Sequence, residues 1–315
     1  MYNVNLAIRR FRALLDPDWA ALKHVADVSL FFDQTGLSLD TIQAPPKVIQ
    51  KCLQRLINIA ESFYDEDSEE LLDHLYTQLE RHLCRVDADS CFAILSLTDS
   101  FEDGSAISVA VDPSVVNHLV VEGSTGFRVW EAAKFLGSYL LSNEGIQYIE
   151  NKRVIELGAG TGFAGLCAAR VAKHVTLTDC HDKVLDLLSS SAKSNVAHSN
   201  AQISVKQLDW TRDRFDEAFD VVIGADLVYD PRLLEPLVET LSSLQFDLAF
   251  ICSAVRDLHK IDAFHKMLRK YNLFYDSVKL NWSEIVRNCL ILGDEIVTDM
   301  ELLKITRTSS FLLHH

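Results

Sequence analysis

The run Val154-Ile155-Glu156-Leu157-Gly158-Ala159-Gly160-Thr161-Gly162, with Asp179 downstream, carries the clearest chemistry in this 315-residue chain. Branched apolar residues running into closely spaced glycines read as a buried strand that breaks into a turn and opens a helix. Glycine at such a turn lets backbone approach a ligand where a Cβ would collide with it. Asp179, 21 residues beyond the first glycine, falls at the tip of the next expected strand, where a carboxylate can accept both hydroxyls of a ribose. The demand these residues share is a nucleoside-containing cofactor.

Two cofactors compete for the loop. Gly160-Thr161-Gly162-Phe163-Ala164-Gly165 fits the dinucleotide pattern G-x-G-x-x-G, but that register keeps the strand running through Gly158 and Ala159. Ending the strand at Leu157 and turning at Gly158, Ala159 and Gly160 is the more natural register. It sets Glu156 among the last residues of the strand. A carboxylate there repels a pyrophosphate and tolerates an ammonium and a sulfonium, which favours S-adenosylmethionine over a dinucleotide.

Three further segments offer polar or aromatic groups near the same rim. Asp209-Trp210 closes the third expected strand: the ring can lie against adenine and the carboxylate can accept its amino group, or the tryptophan merely caps the sheet edge. Ala225-Asp226-Leu227-Val228-Tyr229 ends the fourth, setting a small residue, a carboxylate and a tyrosine together; alternatively Asp226 is solvated and Asp230-Pro231 caps a helix. Trp130 precedes the apolar stretch Ala132 to Leu141 and is either core or a cover for one end of the cofactor. Cys180-His181 beside Asp179 suggests a metal cluster only superficially, because adjacent side chains at a strand end diverge, and no metal is expected.

These residues are held by a change of rhythm along the chain. From about residue 121, expected strands at 153–157, 174–179, 202–208, 219–225 and 247–253 alternate with expected helices near 162–173, 182–198, 231–244 and 257–271. That order gives an α/β fold with a parallel sheet and right-handed crossovers, whose ligands sit beyond the strand carboxyl ends. A last strand pair is expected at 273–281 and 300–307 around an irregular insert, 283–299. Before residue 121 the pattern is helical: Ile49, Cys52, Leu53, Leu56, Ile57 and Ala60 follow Pro45-Pro46 at i, i+3, i+4 spacing, and Leu71, Leu72, Leu75, Leu79 and Leu83 repeat it after an acidic run. Residues 92–97 and 106–111 alternate around Glu102-Asp103-Gly104 as a hairpin candidate. The expected organisation is a mainly helical lobe at 1–120 and a cofactor-binding domain at 121–315.

A formal net charge of −15 argues against a direct grip on nucleic acid. The front 120 residues carry 9 basic and 19 acidic side chains, so an acidic lobe could steer a basic protein partner, or simply confer solubility. Seven cysteines without a C-x-x-C pair fit reduced thiols. With no bilayer-length apolar stretch and no signal pattern at the N-terminus, a cytoplasmic, membrane-free and monomeric protein is expected.

Taken together, Gly126 to Ala133, Val154 to Gly162, Thr178-Asp179-Cys180-His181, Leu208-Asp209-Trp210 and Ala225 to Tyr229 resemble the seven-strand protein-lysine methyltransferases. The Asp-x-x-Y pattern after their fourth strand is matched by Asp226 and Tyr229, and the likeness extends to Ala254-Val255-Arg256-Asp257 and to Pro45-Pro46-Lys47-Val48. It is strongest from 123 to 260. The resemblance implies a Rossmann-like, seven-stranded, mainly parallel sheet of the class I methyltransferase type. It implies S-adenosylmethionine contact at Trp130, Gly158 to Gly160, Asp179, Trp210 and Ala225, and a target-lysine site at Asp226 and Tyr229. The substrate it implies is a translation factor, elongation factor 2, recognised through the N-terminal lobe. Asp230, a further acid at the rim, departs from the pattern. A small-molecule methyltransferase, a non-catalytic module with a retained pocket and a dinucleotide oxidoreductase are the competing readings.

Overall fold

The computed structural model describes residues 2–12, 17, 19–37, 44, 46–63, 66–83, 91–96, 106–111, 126–279 and 299–308. Its contacts divide the chain into two compact units, Met1–His118 and Leu119–His315.

The first unit contains helices α1 (Tyr2–Arg12), α2 (Val25–Gln34), α3 (Pro46–Glu61) and α4 (Glu66–Leu83) and the strands β1 (Cys91–Ser96) and β2 (Ala106–Val111). Pro46 opens α3 at a position where its missing N–H costs nothing, and its fixed φ suits the first turn. The i, i+3, i+4 stripe Ile49, Leu53, Leu56, Ile57 and Ala60 is fully buried, as the spacing predicts. It packs in one cluster with Phe11, Phe31 and Leu75. Glu66 to Glu70 of the acidic run lie inside the first turns of α4 instead of ahead of it, while Asp65 lies outside the described residues; Arg81 and His82 occupy the last turn, so the charges at both ends match the helix dipole. β1 and β2 pair antiparallel from Cys91 opposite Val111 to Ser96 opposite Ala106; the expected turn at 102–104 lies outside the described residues.

The second unit is built on a seven-stranded sheet. Its strands are β3 (Arg153–Leu157), β4 (His174–Asp179), β5 (Gln202–Gln207), β6 (Val221–Ala225), β7 (Leu248–Ala254), β8 (Phe274–Ser277) and β9 (Met300–Thr306). They lie in the order β5-β4-β3-β6-β7-β9-β8, parallel from β5 to β7, with β9 antiparallel to both of its neighbours. The helices α5 (Glu131–Leu140), α6 (Ile146–Ile149), α7 (Phe163–Ala168), α8 (Asp182–Asn195), α9 (Pro231–Ser243) and α10 (Leu258–Lys270) connect and cover these strands. All seven residues of β7 are buried, the continuous apolar signature of a strand covered on both faces. This is the parallel α/β sheet the strand–helix alternation called for, in the Rossmann-like, seven-stranded form the resemblance implied.

Strand order reverses at β3: β4 and β5 build outward on one side, β6 and β7 on the other. The carboxyl ends around β3 therefore frame the crevice where such sheets take ligands. Helix α7 is half as long as its apolar sequence suggested. The chain leaves helical geometry near Ala169 because the carbonyl of Lys152 accepts both Lys173 N–H, at 2.8 Å, and His174 N–H, at 3.2 Å, which pins the entry to β4. The insert expected at 283–299 lies outside the described residues except for Asp299, whose carbonyl accepts the Val255 N–H at 2.7 Å.

Candidate functional site

A cavity of about 280 Å³ opens beyond the carboxyl ends of β3, β4, β6 and β7, bounded by the approach to α5. Every residue singled out from the sequence lines it: Trp130, Glu156, Gly158, Ala159, Gly160, Asp179, Asp209, Trp210, Ala225, Asp226 and Tyr229. Arg128 and Arg256 line it as well, although the sequence reading gave neither a role.

The floor is the turn after β3. Gly158 has φ +55, and a Cβ there would lie 2.8 Å from Leu227 and 3.1 Å from the Trp210 ring. Gly160 has φ +54, and a Cβ there would meet the Gly126 carbonyl oxygen at 3.2 Å. Both positions need the left-handed backbone that only glycine adopts without penalty, and both need the missing side chain. Ala159 N–H donates to the Thr178 carbonyl at 2.7 Å, and Thr178 Oγ1 donates to the Glu156 carbonyl at 2.6 Å, locking the turn to β4.

Asp179 is aimed by backbone alone. One carboxylate oxygen accepts Gly160 N–H at 3.0 Å; the other accepts the N–H groups of Cys180 at 2.8 Å and His181 at 3.1 Å. A carboxylate oxygen offers about two acceptor directions, so capacity remains for hydroxyls of a ligand.

Glu156 differs from the standing anion expected of it. Its side chain is buried and accepts Gly165 N–H at 2.9 Å. Burial pushes its pKa up to about 8, the Gly165 hydrogen bond pulls it back in part, and the charge of Asp179 adds to the rise. Glu156 is therefore largely protonated at neutral pH. A cation bound in the pocket would favour its ionised form.

The adenine assignment of Asp209 is also altered. Its carboxylate accepts Thr211 N–H at 2.9 Å, Thr211 Oγ1 at 2.6 Å and Arg212 Nε at 2.9 Å, and these bonds hold its pKa below the ordinary value. It organises its own turn. Trp210, next along, places its ring beside Gly158, and its Nε1 is buried without a hydrogen-bond partner among the described residues. His181 Nδ1, in the same pocket wall, is likewise buried and unpartnered. Orphaned polar atoms of this kind fit a wall that expects a polar ligand.

Asp226 ends β6 in a left-handed conformation, φ +53, unusual for a residue with a side chain. Its N–H donates to the Cys252 carbonyl at 2.8 Å, and its Oδ1 accepts Ala254 N–H at 2.9 Å, so the residue clamps the tip of β6 to β7. The Arg256 guanidinium faces Oδ2 at 3.4 Å. That guanidinium also lies 5.4 Å from the centre of the Trp130 ring, with Arg128 at 4.9 Å from the same ring. Arg256 sits just past the end of β7, the position rule that had flagged Asp226 after β6, and it could have been found that way. Tyr229 is 45% exposed at the rim, and its carbonyl accepts Lys260 Nζ at 2.7 Å. The departing acid, Asp230, is the cap of α9: it accepts Arg232 N–H at 2.9 Å and pairs with the Arg232 guanidinium, which brings its pKa down to about 2.

The residues present suit S-adenosylmethionine. A glycine cradle, a carboxylate aimed for a ribose, an aromatic face and an acidic interior coincide in one cleft. Among the described residues, no three His, Cys, Asp or Glu side chains converge as metal ligands.

Comparison with known proteins agrees. Residues 115–270 match the family model described as lysine methyltransferase. The chain is 36% identical to the protein-lysine N-methyltransferase EFM3 of Chaetomium thermophilum, over 39% of each chain. It is 28% identical to the protein-lysine N-methyltransferase EEF2KMT of Homo sapiens, over 64% of this chain and 62% of that one. It is 34% identical to EEF1A lysine methyltransferase 3 of Xenopus tropicalis, over 50% of this chain and 70% of the relative. The first two alignments thus span less than two thirds of those relatives' own length.

Proposed function

Because the chain belongs to the lysine methyltransferase family, we propose that it is an S-adenosylmethionine-dependent protein-lysine N-methyltransferase acting on a translation elongation factor, with elongation factor 2 as the substrate. The observation that carries this reading is the shared pocket. Asp179 and the glycine turn lie on one side of it, and Asp226 and Tyr229 lie at its rim. Relatives named EEF2KMT and EEF1A lysine methyltransferase 3 support an elongation factor as acceptor.

In this reading Asp179 accepts the ribose hydroxyls, while Gly158, Ala159 and Gly160 let the backbone close on the cofactor. The Trp210 face covers the adenine, and Ala225 leaves room beneath it. Trp130 covers the methionine end, and Glu156 gives up its proton to balance the arriving positive charge. When bound, S-adenosylmethionine supplies an activated methyl group: the lysine nitrogen forms the new N–C bond as the C–S electron pair returns to sulfur, leaving a neutral thioether. The protein's task is alignment. It must also receive the lysine amine without its proton, which is lost to solvent. That deprotonation costs roughly 4–5 kcal/mol at pH 7 for an ordinary lysine. Asp226 receives and aims the amine, and Tyr229 bounds the slot.

The test is incubation with methyl-labelled S-adenosylmethionine and a cytosolic extract from cells lacking this protein. Label on a lysine of elongation factor 2 is the expected result. Label in a metabolite would instead assign the chain to small-molecule methylation, and binding of a nicotinamide dinucleotide would reject the cofactor.

A further inference from the structure

A bare carboxylate beside the acceptor is a poor partner for this reaction. It attracts the lysine ammonium, but it also stabilises the protonated form, which cannot attack. Asp226 is not bare. Arg256 faces its Oδ2 at 3.4 Å, reaching across from the end of β7. The guanidinium is held from its other sides by Glu131, 4.0 Å away, and by the Trp130 ring, 5.4 Å from its centre. The Asp226 side chain is only 11% exposed, so water screens the pair poorly on that side. Arg256 itself is about half exposed, which lets it shift as an acceptor enters.

We propose that Arg256 is a positioning residue that holds the Asp226 carboxylate in aim and offsets its charge, so that a lysine entering the slot meets a paired carboxylate instead of a bare anion. This deepens the function proposed above and rests on it. The remaining groups around the slot do not supply the same service. Glu131 is a second anion, Tyr229 is a phenol, and the Cys252 thiol on β7 is kept protonated by burial and by the charge of Asp226. Among the described residues, Arg128 is the one other guanidinium in the pocket lining, and it flanks Trp130. A permanent cation paired to Asp226 keeps the aiming hydrogen bond and removes the penalty that the aiming group would otherwise impose on deprotonation. Arginine suits the place better than lysine, because its charge does not titrate and its fork can hold one carboxylate while stacking on a ring.

The prediction is a change in pH dependence that loss of structure alone would not produce. The full-length protein, unmodified recombinant elongation factor 2 and labelled S-adenosylmethionine are assayed from pH 6.5 to 10, with cofactor binding to each variant followed by calorimetry. Arg256→Gln should move the acidic limb of kcat upward by about one pH unit, a tenfold loss on that limb, and should converge with the unmodified enzyme near pH 10. Arg256→Lys, which keeps the charge, should recover most of the loss at neutral pH. Cofactor affinity should be little changed in both. A uniform loss across the pH range, or an unmoved profile in an active Arg256→Gln enzyme, would overturn the role of Arg256 and leave the proposed function standing. Failure of the unmodified enzyme to label lysine would overturn both.

Discussion

Asp179 and Glu156 are two acids in one pocket with opposite settings. Asp179 is half-buried and aimed by three backbone amides, so its contribution to ligand binding is already oriented. Asp179→Ala should weaken S-adenosylmethionine binding by at least about 1.5–3 kcal/mol, the range for a hydrogen-bonded charged partner. Calorimetry on a folded variant checks this, and unchanged affinity would remove Asp179 from the cofactor shell. Glu156 is the reverse case. Its folded pKa, about 8, lies above the ordinary 4.5, so between those values the folded chain binds more protons than the unfolded chain. Stability from this group is therefore present at low pH and is lost as pH rises from 4.5 through 8. Gln at this position can still accept the Gly165 N–H but never ionises. Relative to the unmodified protein, Glu156→Gln should gain about 1–3 kcal/mol of stability between pH 6 and pH 8.5 in the absence of cofactor. Thermal melts at the two pH values measure it, and a pH-independent difference would contradict the burial argument. Bound S-adenosylmethionine should shrink that gain, because its cationic groups stabilise the glutamate and have no such effect on Gln.

The elements that carry these residues were largely legible, because strand ends follow from where apolar runs meet glycine or acid. β3, β4 and β6 stop where Gly158, Cys180 and Asp226 begin, and the sequence marks each of those points. What it did not mark were distances between elements. Asp226 and Arg256 lie 30 residues apart, and their pairing depends on β6 lying beside β7 in register, with Ala225 opposite Cys252. Nor did it mark burial: Glu156 is an acid on paper and largely neutral in place, because burial disfavours its charge by more than the Gly165 amide restores. The shortness of α7 was hidden for a similar reason, since the Lys152 carbonyl that ends it comes from a different part of the chain. Close approach of backbone segments is the strictest of these inter-element demands. Gly126 and Gly160 touch so closely that a Cβ on Gly160 would lie 3.2 Å from the Gly126 oxygen, in a left-handed conformation. Gly160→Ala should therefore cost about 1–2 kcal/mol of stability from the backbone alone and lower cofactor affinity by moving the Gly160 amide off Asp179. Thermal melts paired with calorimetry separate the two effects. An alanine variant that binds the cofactor normally would show that the approach of 126 to 160 is incidental to the pocket.

At the scale of the whole molecule, the acidic excess ahead of residue 121 needs a physical reason. Its 19 acidic and 9 basic side chains belong mostly to a unit that already has its own buried core, so they are not needed to cover the cofactor domain. We propose that this unit recognises a large folded substrate through remote contacts. Binding energy gained far from the reacting lysine can be used to hold the amine in line, so a substrate stripped of those contacts should lose turnover as well as affinity. Peptides spanning the modified lysine should accordingly be poor acceptors, by at least about 100-fold in kcat/KM if remote docking supplies about 3 kcal/mol. Salt offers an independent check. Exposed charges are screened as ionic strength rises, with a Debye length near ~10 Å at 0.1 M, whereas the Asp179 contacts are partly buried and respond less. Raising salt from 0.05 to 0.4 M should slow methylation of intact elongation factor 2 while leaving S-adenosylmethionine binding nearly constant. Charge reversal of exposed acids farther along α4, such as Asp73→Lys with Glu80→Lys, should reproduce the slowing at low salt without lowering the melting temperature. Should the short peptide be methylated as fast as the whole factor, and salt leave both rates alike, the acidic unit is a solubility feature and substrate choice resides in the slot around Asp226, Tyr229 and Arg256.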